Sequence, residues 1–383
     1  MKYQLSESDI AWSEKILHSV LEKVEAECIR NGAALPFFPV QNKYIDCMMP
    51  AGLWWWTNGF WPGLLWQAYH ATKKEIFKTA AQSAGERLRG TLEEPEKLEH
   101  DTGFLFQLSA VADYRLTGNS SANTDALKAA KLLSGRFNPK GNFLRAWEKS
   151  PWEDDVSGWM IIDCMMNLSL LFWASNETGE PCYADIASRH AETSSQYLLR
   201  EDGSCAHIAS FNPSTGKFLS NPAGQGYAED SCWGRGQGWA VYGFSLAYRH
   251  TKETRFLSAA KQSAHYVITA LSAHEWLPLV DFRAPAEPVK YDSGAGVICA
   301  CGLLELAAHL PILEQPLYVE AALKIIKACT DKFAILDPST DGILGGGRTM
   351  YHDDRLANLA FIYGDYFYLE ALLRLLDRDF LIW

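Results

Sequence analysis

Six stretches of the chain carry apolar residues at helical spacing with charged residues between them, a pattern that predicts amphipathic α-helices. These stretches span about 7–30, 73–90, 121–137, 181–200, 253–271 and 314–334. Each has one apolar and one charged face, so we expect each to lie at the surface with its apolar face against a core.

A second set of six stretches alternates with the first and is apolar almost all round. These stretches are rich in Gly, Ala and aromatic residues, and they cover 59–69, 103–114, 158–175, 236–250, 294–310 and 364–376. A helix that is apolar on every side is buried on every side.

Six exposed helices alternating with six buried ones predict an all-α fold, an (α/α)6 barrel formed by a single domain over residues 1–383. The buried helices would form an inner ring, and the loops that precede them would gather at one mouth. A small hairpin is also expected around 205–219, because "NPSTGK" is a turn between two short apolar runs.

Composition and charge exclude several classes of function. The net charge of −11 leaves no visible basic patch for nucleic acid. No apolar stretch is long enough to span a bilayer, and the chain begins without a basic segment followed by an apolar run, so a cytoplasmic location is expected. Neither GxxxxGK[ST] nor HExxH is present, so no metal or nucleotide cofactor is indicated. The oligomeric state stays open.

Cysteines and aromatic residues refine this picture. Nine cysteines are scattered without a CxxC pair, which favours reduced, mostly buried side chains. The 14 Trp, 16 Tyr and 18 Phe residues exceed what a core needs. Aromatic side chains commonly line clefts that hold ring-shaped ligands, so a cleft of this kind is expected.

Asp163 is the strongest candidate for chemistry, because it is the only charge in "GWMIIDCMMNLSLLFWAS". Burying an ionised carboxylate without a partner costs several kcal/mol, so this residue is either paired or protonated. A carboxyl group that keeps its proton near neutral pH can act as a proton donor. Asn167 lies one helical turn further on and could orient it. The alternative is a structural aspartate bonded to loop amides.

Asp101 directly precedes an apolar helix in "EHDTGFLFQLSA", a position typical of a helix N-cap. In the ring arrangement, however, Asp101 and Asp163 lie at the starts of consecutive inner helices and open on the same mouth. Two acids that face one cavity are what acid/base work on a glycosidic bond requires.

Further candidates lie in the loops at the predicted mouth. His207, in "CAHIAS", has a structural and a functional interpretation that are equally open. In "GQGYAEDSCWGRGQGW", Gln225 and Gln237 can bond hydroxyl groups, and Arg235 can hold a carboxylate with two parallel bonds.

Tryptophans are the candidates for stacking on a sugar ring. Within "LWWWTNGFW" some must be core, and Trp56 and Trp61 are our choices for the site. Trp147 and Trp239 are further candidates. The acidic run 153–155 is interpreted as a solvated loop.

At these residues the sequence resembles the unsaturated glucuronyl hydrolases, glycoside hydrolase family 88. The resemblance extends from about residue 12 to residue 376. Seven blocks in order carry it: "WTNGFWPGLLWQAY", "HDTGFLF", "IIDCMMNLSLLFWAS", "REDGSCAHIASFNPSTGK", "GQGYAEDSCWGRGQGWAVYGF", "DSGAGVICACGLLELA" and "GDYFYLEALLRLL".

The resemblance implies an (α/α)6 barrel that removes the 4,5-unsaturated uronic acid from the non-reducing end of oligosaccharides made by polysaccharide lyases. It implies that Asp163 is the general acid/base and Asp101 the second essential acid. It also implies that C4 is protonated, that water adds at C5, and that the resulting hemiketal opens and expels the remaining sugar. The sugar contacts that it implies are Trp56, Trp147, His207, Gln225, Arg235 and Trp239.

Two positions depart from the family pattern. Gly224 stands where some relatives have His, and Tyr363 stands where some have Trp. Both departures bear on which sugar is preferred. The alternatives are an unsaturated rhamnogalacturonyl hydrolase of family 105, another (α/α)6 hydrolase or epimerase of ordinary sugars, and a non-catalytic toroid that binds oligosaccharide.

Overall fold

The computed structural model describes residues 3–149 and 155–383. The helices, in chain order, are α1 (Glu7–Asn31), α2 (Phe60–Thr72), α3 (Glu75–Arg89), α4 (Thr102–Phe106), α5 (Ala112–Thr117), α6 (Ser120–Ser134), α7 (Cys164–Thr178), α8 (Pro181–Tyr197), α9 (Gly234–Thr251), α10 (Thr254–Ser272), α11 (Ser293–Ala307), α12 (Gln315–Phe333) and α13 (Ile362–Leu375). A π-helical segment, Gln107–Val111, joins α4 to α5, so these two form one inner rod.

The inner rods form a closed ring. Along the chain, α2 packs on the π segment, α4 on α7, α7 on α9, α9 on α11 and α11 on α13, and α13 returns to pack on α2. The outer helices α1, α3, α6, α8, α10 and α12 pack against the outside of this ring. The predicted all-α (α/α)6 barrel is therefore confirmed.

The difference between the two layers follows from their sequences. Every residue of α11 is buried, as expected of a helix without a polar face. The outer α3 buries only one side of its length, and its charged residues face outward. Polar side chains begin some outer helices, since Ser6 caps α1 and Asn119 caps α6 through backbone amides.

Aromatic rings fill the axis of the barrel. Trp239 of α9 lies 5.5 Å from both Phe104 and Phe367, measured between ring centroids. Trp383 stacks on Phe367 at 5.9 Å and meets Phe104 edge-on at 5.9 Å. Much of the aromatic content thus closes the barrel, and a smaller part is left to line a cleft.

Strands are short and lie in the loops: β1 (Pro39–Val40), β2 (Lys43–Tyr44), β3 (Phe137–Asn138), β4 (Phe143–Leu144), β5 (Trp159–Ile161), β6 (Ile208–Phe211), β7 (Phe218–Ser220), β8 (Gly347–Arg348) and β9 (Ala357–Leu359). The predicted hairpin is confirmed as antiparallel β6–β7, which β5 extends into a three-stranded sheet.

The prediction of helix from residue 158 was wrong at its start. Residues 159–161 form β5, paired with β6, and α7 begins only at Cys164. The apolar run there reflects a strand buried in the loop layer, because a short apolar run does not distinguish strand from helix. Asp163 consequently lies at the start of α7 and not within it.

A network of charges lies at the carboxyl ends of the inner helices, the end of the barrel away from the loops that precede them. Glu305 of α11 accepts from Arg249 Nε at 2.7 Å and contacts Arg374 and His309. Although burial alone would raise it, the two arginines hold the pKa of Glu305 well below its usual range. This end, which we call the closed end, is held by a network of buried ion pairs around Glu305.

Two other findings complete the fold. Seven of the nine cysteines are buried, and Cys47 and Cys182 retain exposure. None of the helices in the described part of the chain combines the length and the apolar character that crossing a bilayer requires.

Candidate active site

A cavity of about 560 Å³ opens where the loops before the inner helices meet. Five of the six loops predicted to form the mouth contribute to its wall. The wall residues are Phe37, Ala51, Trp54, Trp55 and Trp56, then Glu96, Lys97, Leu98, Glu99, Asp101, Thr102 and Leu105, then Trp147, Glu148, Lys149, Gln225, Arg235, Thr349, Met350 and Leu356. Aromatic and charged side chains therefore share this wall.

Asp163 lies at the start of α7, and neither it nor His207 is among the wall residues of the cavity. The Asp163 side chain keeps 12% exposure, and its Oδ2 lies 3.5 Å from His207 Nε2. Oδ2 is buried and accepts no hydrogen bond from any atom of the described residues. The His207 ring nitrogen is thus a polar neighbour of this oxygen beyond ordinary hydrogen-bond length.

The backbone around Gln225 fixes the tautomer of His207. The amide N–H of Gln225 donates to His207 Nδ1 at 3.1 Å, so in the neutral ring the proton sits on Nε2, which faces Asp163. Gly224, with φ of +58°, makes this approach possible, because a Cβ there would lie 2.1 Å from His207 Nδ1.

Asp101 precedes α4, but its side chain makes no capping bond to the helix amides. The expectation that it caps the helix was wrong, because its backbone has ψ near 0° and not the extended conformation of an N-cap. Its carboxylate instead lines the cavity with 16% exposure, and Oδ1 lies 3.2 Å from His100 Nε2.

His100 is fully buried, and its Nδ1 donates to the carbonyl of Ala146 at 2.9 Å. Burial alone would lower the pKa of His100, but the charge of Asp101 and the bond to Ala146 outweigh it and raise that pKa above its usual value.

The two acids are brought to the same region by a close contact between α4 and α7. The amide of Phe104 donates to Asn167 Oδ1 at 2.6 Å. A Cβ on Gly103 would lie 2.5 Å from the Asn167 Cα, so only glycine permits this approach. Asn167 thus orients α4. Its Nδ2 also donates to the backbone carbonyl of Asp163 at 3.4 Å, and not to the Asp163 carboxylate as expected.

Trp147 connects the two acid–histidine pairs. Its ring lies 6.1 Å from the ring of His100 and 6.2 Å from that of His207, edge-on to both. It also lines the cavity, as predicted for a sugar contact.

Trp56 lies on the cavity wall and stacks on Tyr363 at 5.3 Å. Trp54 and Trp55 line the wall too, and no local feature of "LWWWTNGFW" favours Trp56 over them. Trp61 and Trp239, by contrast, are fully buried. Trp61 donates to the Gly32 carbonyl at 2.9 Å, and Trp239 belongs to the aromatic axis, so neither presents a face to a ligand here.

Arg235 lines the cavity, but its guanidinium is engaged by the protein itself. Nη1 donates to Asp292 Oδ2 at 2.6 Å and to the Tyr363 hydroxyl at 2.9 Å, and Nη2 donates to the Thr349 carbonyl at 2.8 Å. Its Nε, by contrast, is buried without a hydrogen-bond partner among the described residues, so the expected two-bond grip on a substrate carboxylate stays a prediction.

Of the two candidate glutamines, only Gln225 reaches the cavity. Gln225 lines the cavity, with its Nε2 bonded to the Thr349 carbonyl at 2.7 Å, which leaves its Oε1 as the acceptor. Gln237 is fully buried and bonds to Cys205 N and to the Gly203 carbonyl, so it holds loops together and does not reach the cavity.

Of the acidic run, Glu153 and Asp154 lie outside the described residues. Asp155 is exposed and accepts from the Ser157 amide at 3.0 Å, as expected of a solvated loop. No residue of the segment 349–356 was named as a site candidate from the sequence. It supplies three wall residues, and no charge or periodicity marks them.

This geometry defines a class of protein: an (α/α)6 barrel with a tryptophan-lined cavity at its mouth and Asp101, beside His100, on the cavity wall. A second acid–histidine pair, Asp163 and His207, is connected to the first by Trp147. No cluster of three His, Cys, Asp or Glu side chains that could hold a metal occurs within residues 3–149 and 155–383. The arrangement can exchange protons with a bound ring-shaped ligand.

Comparison with known proteins identifies the family. Residues 38–332 match the sequence model of Glycosyl Hydrolase Family 88. The chain is 36% identical over 325 residues to the unsaturated glucuronyl hydrolase of Bacillus sp. strain GL1, covering 84% of this chain and 86% of that protein. It is 34% identical over 339 residues to the unsaturated chondroitin disaccharide hydrolase of Streptococcus pneumoniae strain R6, covering 86% and 83%.

The fold agrees with this match. The crystal structure of the unsaturated glucuronyl hydrolase of Bacillus sp. GL1, responsible for the degradation of glycosaminoglycan, superposes with a TM-score of 0.87 at 34% identity, covering 95% of this chain and 96% of that one. The chain belongs to Glycosyl Hydrolase Family 88 and is a glycoside hydrolase. The family 105 and non-catalytic alternatives are thereby set aside.

Proposed function

We propose that this glycoside hydrolase removes the 4,5-unsaturated uronic acid from the non-reducing end of oligosaccharides released by polysaccharide lyases. The observation that supports this most strongly is the state of Asp163, whose buried Oδ2 has no hydrogen-bond donor among the described residues. The names of the relatives favour the same substrate class.

In the proposed reaction the Asp163 carboxyl donates its proton to C4 of the enol ether. The C4=C5 bond is consumed, and positive charge develops at C5. Water then attacks C5 and gives a proton back to Asp163, which restores the carboxyl group. The resulting hemiketal collapses, breaks its bond to the ring oxygen and releases the remaining sugar from C1 as an alcohol.

His207 and Asp101 support these steps. His207 Nε2 is held 3.5 Å from Asp163 and can stabilise its carboxylate after the proton has left. Asp101 lies on the cavity wall next to a buried His100, where its carboxylate oxygens can accept a hydrogen bond from a substrate hydroxyl. The two acids thus have different roles, set by their surroundings.

Substrate contacts come from the wall. Trp56 and Trp147 offer ring faces for stacking, and Gln225 offers an amide oxygen to a hydroxyl. Arg235 holds the Thr349 segment of the wall in place through its Nη2. Because the wall residues come from position 37 to position 356, we propose that the whole chain acts as one catalytic domain.

The test uses the ultraviolet absorbance of the conjugated uronate double bond. Purified protein is mixed with unsaturated disaccharides from chondroitin and hyaluronan, each with and without sulfate. We expect the absorbance to fall with the wild type and to persist with Asp163→Asn. In D2O the product should carry one deuterium at C4. Loss of sugar with the double bond intact would instead indicate ordinary hydrolysis at C1.

No change on any of these disaccharides from a folded protein would contradict the proposal and favour a hydrolase or epimerase of ordinary sugars. The ranking of rates among the disaccharides would start to identify the preferred substrate. The cytoplasmic location expected from the sequence stays a prediction, which fractionation of the source cells would test.

A further inference from the structure

A second cavity of about 720 Å³ adjoins the first on the outside of the barrel, along α6. We call it the α6 groove. Its wall residues are Leu92, Pro95, Glu96, Leu98, Lys128, Lys131, Leu132, Gly135, Arg136, Arg145 and Glu148. Its volume lies within the range of small-molecule pockets, roughly 300–1,000 Å³.

The charge of the α6 groove is opposite to that of the protein. Four cations and two carboxylates line it, whereas the chain as a whole carries −11. A local positive surface on an acidic protein concentrates anions at that place.

Two of these cations are fixed in place. Arg136 donates from Nε to the Arg145 carbonyl at 2.9 Å and from Nη2 to the Ala146 carbonyl at 3.1 Å. Arg136 and Arg145 also share the Glu148 carboxylate. Two arginines against one carboxylate leave this part of the groove with a net charge of +1.

The other two cations are available for a ligand. Lys128 and Lys131 stand one helical turn apart on α6, and both are exposed. Neither ammonium contacts a carboxylate anywhere in residues 3–149 or 155–383. Beside them, Leu92, Leu98 and Leu132 offer an apolar surface of the kind on which the C–H face of a sugar ring packs.

The α6 groove and the active-site cavity share part of their walls. Glu96, Leu98 and Glu148 line both. Glu96 and Glu148 are exposed, so the wall between the two cavities ends at the surface. A chain of sugars whose end lies in the cavity can therefore cross this wall without a rearrangement of the backbone.

We propose that the α6 groove binds an acidic sugar unit further along the oligosaccharide whose unsaturated end occupies the active-site cavity, with Lys128 and Lys131 pairing with its carboxylate or sulfate groups. This rests on the proposed function. It makes the groove a determinant of substrate length, because a disaccharide fills the cavity alone while a longer chain reaches the lysines.

The test compares two lengths of one substrate, the unsaturated disaccharide and the unsaturated tetrasaccharide of chondroitin sulfate, on wild type and on Lys128→Gln/Lys131→Gln. We expect KM for the tetrasaccharide to rise about tenfold in the variant, with kcat unchanged, because two ion pairs of up to about fivefold each are lost. KM for the disaccharide should stay as in the wild type.

A matched control is Lys324→Gln/Lys327→Gln on α12, which removes two charges at the same spacing from another outer helix. It should leave KM for both substrates unchanged. An equal rise in KM for the tetrasaccharide in the groove variant and in the control variant would show a general charge effect and overturn the proposal.

A second readout does not depend on turnover. Calorimetric titration of the tetrasaccharide into Asp163→Asn, with and without the two groove substitutions, should show about tenfold weaker binding without the lysines. Equal binding, or a wild type that turns over the disaccharide but not the tetrasaccharide, would overturn the inference. A wild type inactive on the disaccharide would instead overturn the proposed function.

Discussion

At the closed end of the barrel Glu305 contacts two arginines and a histidine, whereas at the mouth Asp163 faces one histidine at 3.5 Å. Both acids belong to the same ring of inner helices, and both are buried. This contrast distinguishes Glu305, a structural acid, from Asp163, the acid that we propose to react. The closed end satisfies every carboxylate oxygen of Glu305, and the mouth leaves Oδ2 of Asp163 without a donor among the described residues.

The largest effect is expected at the closed end. Glu305→Gln removes the counter-charge of Arg249 and Arg374, and the side chain of Arg374 is only 2% exposed. Leaving buried cations unpaired should lower the free energy of unfolding by about 3–5 kcal/mol. Urea denaturation measures this loss. A loss below about 1 kcal/mol would mean that the closed end is not held by its ion network.

At the mouth, Gly224→Ala should lower kcat about a hundredfold, because its Cβ would displace His207 from Asp163. The matched control is Gly118→Ala. Gly118 also has positive φ, at +76°, but a Cβ there meets nothing within 4 Å. Both variants should lose about 1–2 kcal/mol of stability to backbone strain. Equal kcat for the two would refute the role assigned to His207.

His190, a buried structural histidine, should make the stability of the fold depend on pH. His190 is fully buried, and its Nδ1 accepts from the Leu144 amide at 2.9 Å. Burial, with the charge of His100, lowers the pKa of His190 to about 3. Between pH 3 and the unfolded value near 6.5 the unfolded chain binds the extra proton, so stability falls with falling pH by about 1.4 kcal/mol per unit.

The measurement is the free energy of unfolding at several pH values for wild type and for His190→Asn, whose Oδ1 can replace the Nδ1 acceptor. The contribution of His190 is complete above pH 6.5 and is lost as pH falls toward 3. The variant should therefore show a shallower loss in that window. Parallel curves would contradict the buried neutral state of His190.

The smallest effects distinguish two tryptophans that are five residues apart. Trp56→Phe should raise KM about two- to tenfold. The smaller ring offers less surface for stacking on the sugar, which should weaken the interaction by about 0.5–1.5 kcal/mol. Trp61→Phe should leave KM unchanged and cost about 1–2 kcal/mol of stability, since it removes the bond to the Gly32 carbonyl. Steady-state kinetics and denaturation together check both.

The sequence predicted the barrel well because the two kinds of helix differ along their whole lengths. The stretch 294–310 is apolar on every side and 73–90 is not, and this contrast survives in α11 and α3. Asp163 was found because one charge in an apolar run is visible without a structure. Asp101 was selected because the ring arrangement places it at the mouth, and its side chain does line the cavity; only the expected helix cap was wrong.

The site residues that the sequence did not place correctly have a common cause. Which way a residue of an inner helix points depends on how the ring closes, so Trp239 could not be separated from Trp56 by its neighbours in sequence. Arg235 is held by Asp292, which lies 57 residues away along the chain. Contacts across the barrel of this kind leave no local pattern in the sequence.

The most direct test of the account makes one carboxylate-to-amide change at each end and measures kcat and melting temperature for both variants. Asp163→Asn should lose about 10²- to 10⁴-fold in kcat with a melting temperature near that of the wild type. Glu305→Gln should melt at a lower temperature while its folded fraction keeps its kcat. Near-normal turnover of a destabilised Asp163→Asn would contradict the claim that Asp163 at the mouth transfers the proton.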